Sequence, residues 1–291
     1  MKSDTDIDNK SDNTLSLDLF YSNVENLDRA CSTVIENSTA IFLPHKRLDK
    51  SSVQKKFYEQ NQILEIKSDL FSKIEIRGRL LCQTHKDILE VLLTSPKTYN
   101  EERKTFSVKI TAYSILKRLG KATTNKKWLS QKLAEIAECR IKIEFKNNSK
   151  ESYSFNFGFI ETIIQRDAKE YLIRFLPTYS HFMAKNEMID YSNYVENILQ
   201  IKNPFISSIV RYMLTHKGNN SQISIDNLIK KLNFKNLISK EQLKDNITEL
   251  KREKTQQMLE EKFGIILTNK KQTITYNSTS FKQIIQPKLD I

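Results

Sequence analysis

"ITAYSILKRLG" (residues 110–120) and "ISIDNLIKKLN" (223–233) carry aliphatic, aliphatic, basic, basic and leucine in register at 115–119 and 228–232. Each is followed by a longer helical pattern with one apolar spacing. Leu129, Leu133 and Ile136 mark it in "LGKATTNKKWLSQKLAEI" (119–136), and Leu243, Ile247 and Leu250 in "SKEQLKDNITELKREK" (239–254). Agreement of letters and of spacing between two such distant stretches points to a duplicated unit.

The surroundings of the first stretch extend the pattern. "SKIEIRG" (72–78) alternates as a strand, and "THKDILEVLLTS" (84–95) places Ile88, Leu89, Leu92 and Leu93 on one helical face, with Thr84 as cap and Pro96 just beyond. "TFSVKI" (105–110) is strand-like again, and the helix after it closes at Gly120 in a C′ position. A third helix spans roughly 124–138. "CRIKIEF" (139–145) and "SYSFNFGF" (152–159) then alternate on either side of Asn147-Asn148 as a β-hairpin. The second copy runs through "NPFISSIVRYMLTHKG" (203–218), "SQISIDNLIKKLNF" (221–234), the helix of 239–254 and the hairpin "FGIILTNKKQTITYN" (263–277).

Helix, strand, helix, longer helix and hairpin is the order of a winged helix-turn-helix. Such a module lays its third helix in the DNA major groove and its hairpin along the flanking backbone. The expected fold is therefore α+β, with two tandem winged helix-turn-helix domains of three main helices and a β-hairpin wing each. They would occupy residues 41–176 and 177–291, behind an acidic, flexible tail of residues 1–40.

Charge is spread unevenly. Residues 1–40 carry three basic and eight acidic groups, net −5 against +12 for the whole chain, which leaves +17 on the 251 residues that follow. That excess calls for a polyanionic partner. Double-stranded DNA is favoured over a membrane, because no segment pairs a Lys/Arg-rich face with Trp and Phe as an interfacial helix would. No apolar run approaches the ~18 residues of a spanning helix, and "MKSDTDIDNKSDNT" is unlike a signal peptide. The expectation is a cytoplasmic, DNA-associated protein.

Catalytic chemistry finds little support. Cys31, Cys82 and Cys139 are far apart with no C-x-x-C, which argues against a zinc site or a disulfide framework, and Cys82 and Cys139 read as small buried hydrophobes. There is no P-loop, and no H-x-H pair of the kind a metal-dependent, tyrosine-based nickase needs. Glu101-Glu102 and Glu260-Glu261 fall in polar contexts. No catalytic residue, metal or cofactor is expected, and the chain is expected not to be an enzyme.

The face of the first copy's third helix opposite Leu129, Leu133 and Ile136 carries Thr124, Lys127, Gln131, Glu135 and Glu138, with Lys126 and Ser130 on its flanks. Basic and amide groups lie in its first two turns and acids in its last. That polarity suits a helix entering a groove N-terminus first. Lys127 or Gln131 would reach base edges, while Thr123, Thr124 and Ser130, beside Asn125 and Lys126, would hold phosphate oxygens. A solvated basic face is the alternative. Trp128, at the edge of the apolar stripe, could pack or stack on a base. In the second copy the DNA-binding candidates are Ser239, Lys240, Gln242, Lys244, Asn246, Lys251 and Arg252, with Glu241 and Asp245 facing outward among them. The hairpin tips "KNNSK" (146–150) and "NKKQ" (269–272) add Lys146, Asn147, Lys150, Lys270 and Lys271 as backbone contacts. "PHKRLDKSSVQKK" (44–56) reads either as a further basic arm or as a connector.

Three stretches resemble one family, the replication initiator proteins of bacterial plasmids that replicate by theta mechanisms from iterated origin repeats. "RGRLLCQTHKDILEVLL" (77–93) is similar to that family's entry to its first winged helix, and "YLIRFLPTYSHFM" (171–183) to the strand joining the two halves. "NPFISSIVRYMLTHKGNNSQISIDNLIKKLNF" (203–234) with "LKDNITELKREK" (243–254) is similar to its second winged helix. Together they cover about residues 72–277. The resemblance implies a non-enzymatic protein that binds direct origin repeats (iterons) as a monomer, both winged helices on one repeat. It further implies opening of an adjacent AT-rich segment and recruitment of the host initiator ATPase and replicative helicase. A homodimer formed through the first unit would repress the protein's own promoter and so influence plasmid copy number. By the same resemblance the second copy's third helix, about residues 239–252, is a major sequence reader. The alternatives are a two-module transcriptional repressor and, further off, a rolling-circle nicking enzyme.

Overall fold

The structure, a computed structural model, describes residues 30–48, 51–68, 71–145, 154–167, 169–185, 188–215 and 222–276. The first half begins with β1 (Ser32–Thr33) and α1 (Val34–Ser38), followed by β2 (Phe42–Leu43), α2 (Ser52–Glu59) and the strands β3 (Ile63–Ile66), β4 (Lys73–Arg77) and β5 (Leu81–Cys82). Next come α3 (Gln83–Leu93), β6 (Lys97–Asn100), β7 (Thr105–Thr111), α4 (Ala112–Arg118) and α5 (Lys126–Glu138). Four strands follow, β8 (Arg140–Glu144), β9 (Ser154–Phe157), β10 (Ile160–Arg166) and β11 (Glu170–Phe175), and then α6 (Pro177–Lys185). The second half holds β12 (Met188–Ile189), α7 (Ser192–Leu199), α8 (Pro204–Thr215), β13 (Ile223–Ser224) and α9 (Ile225–Lys231). It closes with α10 (Phe234–Leu237), α11 (Lys240–Leu250), α12 (Glu253–Phe263), β14 (Ile265–Thr268) and β15 (Thr273–Tyr276). The architecture is mixed α+β.

The quoted stretches fold alike, down to single hydrogen bonds. Thr111 caps α4 by accepting from the Ser114 N–H at 3.1 Å, and Ser224 caps α9 by accepting from the Asn227 N–H at 3.2 Å. Gly120 (φ 61°) and Asn233 (φ 54°) then turn both helices off in the left-handed conformation that these two residue types tolerate best. Ahead of the caps, β7 pairs antiparallel with β11, Ile110 opposite Tyr171 and Thr111 opposite Glu170. In the same way β13 pairs with β15, Ile223 opposite Ile274 and Ser224 opposite Thr273. The Ala112 N–H donates to the Lys169 carbonyl at 2.8 Å, as the Ile225 N–H does to the Gln272 carbonyl at 2.9 Å. The capped helix, its left-handed stop and the strand pairing ahead of it thus occur twice in the structure.

That register corrects one expectation. The hairpin equivalent to β14–β15 is β10–β11, whose last pair is Arg166 opposite Glu170, and not the 139–159 hairpin read from the sequence. The latter exists as β8–β9, but β8 also pairs with β4, giving a four-stranded sheet in the order β3-β4-β8-β9. Ile141 and Ile143 lie opposite Ile76 and Ile74, and all four are buried, so this hairpin forms a wall of the first core.

Two further expectations change. Residues 30–40, assigned to a flexible tail, are packed. β1 pairs with β12, α1 opens with a Thr33/Glu36 capping box, and Ala30, Cys31, Glu36 and Ala40 are all buried. The span after Arg252, read as passing from helix to hairpin, contains α12, which buries Thr255, Leu259 and Phe263 at four-residue spacing. Within the segment at 44–56, α2 begins at Ser52, where Ser51 accepts from the Gln54 N–H.

Of two buried apolar clusters, the first takes Tyr179, Phe182 and Met183 of α6 and the second takes the buried apolar residues of α7 and α8, while Leu237 crosses into the first and Cys31 into the second. Between the halves α3 turns a polar stripe, Gln83, Lys86, Asp87 and Glu90, toward α8. Arg211, 2% exposed, forks there to the Glu90 carboxylate (2.7 and 2.6 Å), to Asp87 (2.7 Å) and to the Gln83 amide oxygen (2.6 Å). His45 Nε2 meets the Leu237 carbonyl at 2.8 Å, and burial holds that imidazole below its usual pKa. The halves are thus joined by polar groups whose hydrogen bonds are satisfied only in this arrangement.

Candidate nucleic-acid interface

The apolar stripe of α5 is buried as its spacing requires, with Leu129, Leu133 and Ile136 each 0% exposed. The outward stripe is Lys127, Gln131, Ala134 and Glu138, and Thr123, Thr124 and Asn125 form the exposed turn that leads into the helix. Lys126 is half-buried. Trp128 packs at the edge of the first core, with the Lys121 ammonium 5.7 Å from its ring centre.

Two residues of this helix are not where the helical wheel placed them. Glu135 is buried (7% exposed), because it lies against α3 rather than solvent. His85 Nε2 approaches its Oε2 at 2.7 Å, Lys132 Nζ the same oxygen at 2.6 Å, and the Gln131 amide donates to Oε1 at 3.0 Å. Ser130 meets the buried Tyr171 hydroxyl of β11 at 2.7 Å, so it ties the helix to the β10–β11 hairpin instead of facing a phosphate. The outward face is consequently more basic than the sequence suggested, with one acid fewer.

Cys82, His85 and Glu135 stand in the order nucleophile, base, orienter, with the Cys82 thiol 3.3 Å from His85 Nδ1. The Cys82 backbone N–H also donates to Nδ1 at 3.0 Å, which occupies the lone pair a general base would use. All three are buried, and the trio anchors α5 to the start of α3. Burial alone would raise the Glu135 carboxyl, but hydrogen bonds from His85 and Lys132 outweigh it and hold the pKa at about 2, below the ordinary 4.5. A depressed carboxylate contributes stability that is complete above the unfolded pKa and is lost as the pH falls through the folded one. Glu135→Gln should therefore lower the urea midpoint near neutral pH. Its deficit against the parent should shrink between pH 4.5 and 2; a deficit independent of pH would show that the charge plays no part.

In the second half Ser239 and Gln242 form a capping box at the start of α11, the serine oxygen accepting at 3.2 Å and the Gln242 amide oxygen at 3.4 Å. Asn246 is half-buried and accepts from the Asn203 amide at 3.0 Å. Lys240 and Lys244 are exposed, and so are Glu241 and Asp245, as expected. Lys251 ends the helix, and its carbonyl accepts from Lys271 Nζ at 3.0 Å. Arg252, also exposed, pairs with Glu249. Leu243 and Ile247 are only half-buried, so this helix is less deeply seated than α5. Asn269, Lys270 and Lys271 all take positive φ in the β14–β15 turn, which projects Lys270 and Lys271 outward.

Lys146, Asn147 and Lys150 lie outside the described residues. The turn that pairing identifies as equivalent to the β14–β15 tip carries Arg166, Asp167 and Lys169, all exposed, and none of them was singled out from the sequence. The available signal was the alternation of "IETIIQR" (160–166) and "EYLIRF" (170–175) around a basic turn, beside the similar "TNKKQT" (268–273).

No protein family's sequence profile matches the chain, and no curated protein matches it in sequence. Solved structures that share its fold include two of RctB domains. A selenomethionine derivative of domains 2 and 3 of RctB aligns with a TM-score of 0.51 at 12% identity, over 86% of this chain and 97% of that one. A second structure of RctB domains 2-3 gives a TM-score of 0.51 at 13% identity, over 86% of this chain and 99% of that one. At such identity the likeness is one of fold. Among the described residues no helix is long and apolar enough to cross a membrane.

Proposed function

We propose that this chain is a DNA-binding replication initiator of the plasmid type, acting without catalysis of its own. Each half would be a winged helix-turn-helix, with α5 and α11 as recognition helices and β10–β11 and β14–β15 as wings. Both would engage one direct repeat of the origin. The observation that carries the reading is the matched pairing of β7 with β11 and of β13 with β15 around identically capped helices, within a fold shared with RctB, a replication initiator. The +17 charge beyond residue 40 supplies attraction to phosphates. Opening of an adjacent AT-rich segment, recruitment of host replication proteins, and autorepression by a homodimer belong to the same proposal.

The test is a footprint on DNA surrounding the protein's own gene at two protein concentrations. Protection of an array of direct repeats at the lower concentration is expected. Protection of a single palindrome with no repeat array would overturn the initiator reading in favour of a repressor. Within a repeat, Lys127→Ala should weaken binding to every sequence and reduce the slope of log affinity against log salt by about 0.9. Gln131→Ala should mainly relax base discrimination. Unchanged binding in both variants would contradict the assigned orientation of α5.

A further inference from the structure

Residues 30–43 lie between the two halves and touch both. β1 pairs with β12, with Ser32 opposite Ile189 and Thr33 opposite Met188, while Cys31 joins the second apolar cluster and Ile35, Phe42 and Leu43 join the first. At the centre is Glu36, 3% exposed. Its Oε2 takes Lys86 Nζ of α3 at 2.8 Å and the Ser32 hydroxyl at 2.9 Å, and its Oε1 takes the Tyr179 hydroxyl of α6 at 2.8 Å. Asn37 donates to the Tyr191 hydroxyl, which donates to Glu90, the main partner of Arg211. A continuous chain of buried hydrogen bonds therefore runs from Tyr179 of α6 through Glu36, the Ser32 hydroxyl (3.1 Å from Asn37 Oδ1), Asn37, Tyr191 and Glu90 to Arg211 in α8, with Lys86 bound to both Glu36 and Ser32.

Apolar interfaces can slide at small cost, but a buried ionic chain cannot, because a small shift leaves a charge desolvated and unpaired. Glu36, Lys86, Tyr191, Glu90 and Arg211 are all buried, so these groups do not meet DNA themselves. We propose that the strap of residues 30–43, with the Glu36–Lys86 and Glu90–Arg211 pairs, fixes the distance and rotation between the two reading surfaces. The protein then selects DNA sites by the spacing of their two half-sites as well as by their bases. Glu36 and Arg211 are positioning residues, acting through the helices they hold. The inference rests on the two-headed DNA reading above and adds to it a geometric specificity.

The experiment measures affinity of the full chain for its footprinted repeat with and without five extra base pairs between the two protected blocks. Half a turn of DNA puts the blocks on opposite faces, so a rigid protein loses the gain from simultaneous engagement, about 100-fold or more. Glu36→Gln leaves Lys86 buried without its anion and should reduce that penalty below about tenfold. Arg211→Lys keeps the charge but cannot fork to three partners, and should do the same. Glu36→Gln combined with Lys86→Met removes both charges and should restore the full penalty, which a general folding defect would not do. An unchanged penalty in both single variants, or a parent insensitive to the insertion while still binding repeats, would overturn the inference alone. Absence of sequence-specific binding by the parent would overturn the functional reading beneath it.

Discussion

Arg211→Ala should lower the unfolding free energy by about 3–5 kcal/mol, the cost of removing one partner from a buried ion pair. Arg211 answers two carboxylates and an amide oxygen from one fully buried guanidinium. Truncation leaves the Glu90 carboxylate buried with only the Tyr191 hydroxyl among these partners. For a chain of this length the loss corresponds to a fall in Tm of roughly 10 °C, read by calorimetry or circular dichroism. A fall of only one or two degrees would mean that the halves part readily and that Glu90 regains water. Arg211→Ala with Glu90→Leu should recover much of the loss, since the network then lacks its deepest anion.

The wings carry the second large effect. Arg166→Ala and Lys169→Ala in the β10–β11 turn, combined with Lys270→Ala in the β14–β15 turn, remove three exposed cations from equivalent tips. If each neutralises a phosphate, the salt slope should fall by about 0.9 per residue and affinity at moderate salt by on the order of ten- to hundredfold. If β10–β11 is the wing, Lys146→Ala with Lys150→Ala should change the slope less than these three substitutions do. The reverse outcome, with Lys146 and Lys150 setting the slope, would return the wing to the 139–159 hairpin and contradict the register equivalence.

The confusion of the two hairpins shows where sequence reading stops. "CRIKIEF" and "EYLIRF" alternate equally well, and alternation says that a strand is half-buried without saying which strand it meets. The decisive partnership joins Ile110 to Tyr171, far apart along the chain, and no local pattern encodes it. What was legible is local: the stop at Gly120 and the core spacing of Leu129, Leu133 and Ile136, whereas Thr84, read as a cap, lies within α3 behind its N-cap Cys82. Illegible residues share one property. Glu36, Lys86, Glu90, Glu135 and Arg211 are charged, sit on helices, and would be assigned to solvent by any wheel, yet all are buried because long-range partners neutralise them. Helix α12 was missed because its inward Thr255, Leu259 and Phe263 are diluted by glutamate, lysine and glutamine. Of the candidate site, Thr123, Thr124, Lys127, Lys240, Lys244 and Lys270 are exposed, Gln131 is exposed but donates to Glu135, and Ser130, Ser239, Gln242 and Asn246 also make contacts within the protein.

The central claim, that α5 and α11 read one repeat together, is tested most directly by cutting DNA from each helix in turn. The cysteines of the described residues, Cys31, Cys82 and Cys139, are all buried, so a cysteine placed at Lys127 or Lys244 can be labelled selectively with an iron chelate that generates hydroxyl radicals. With both variants bound to the footprinted origin, each tether should cut within the same repeat, at two separate blocks. Cutting from only one of the two positions, or cuts scattered without regard to the repeats, would contradict the account.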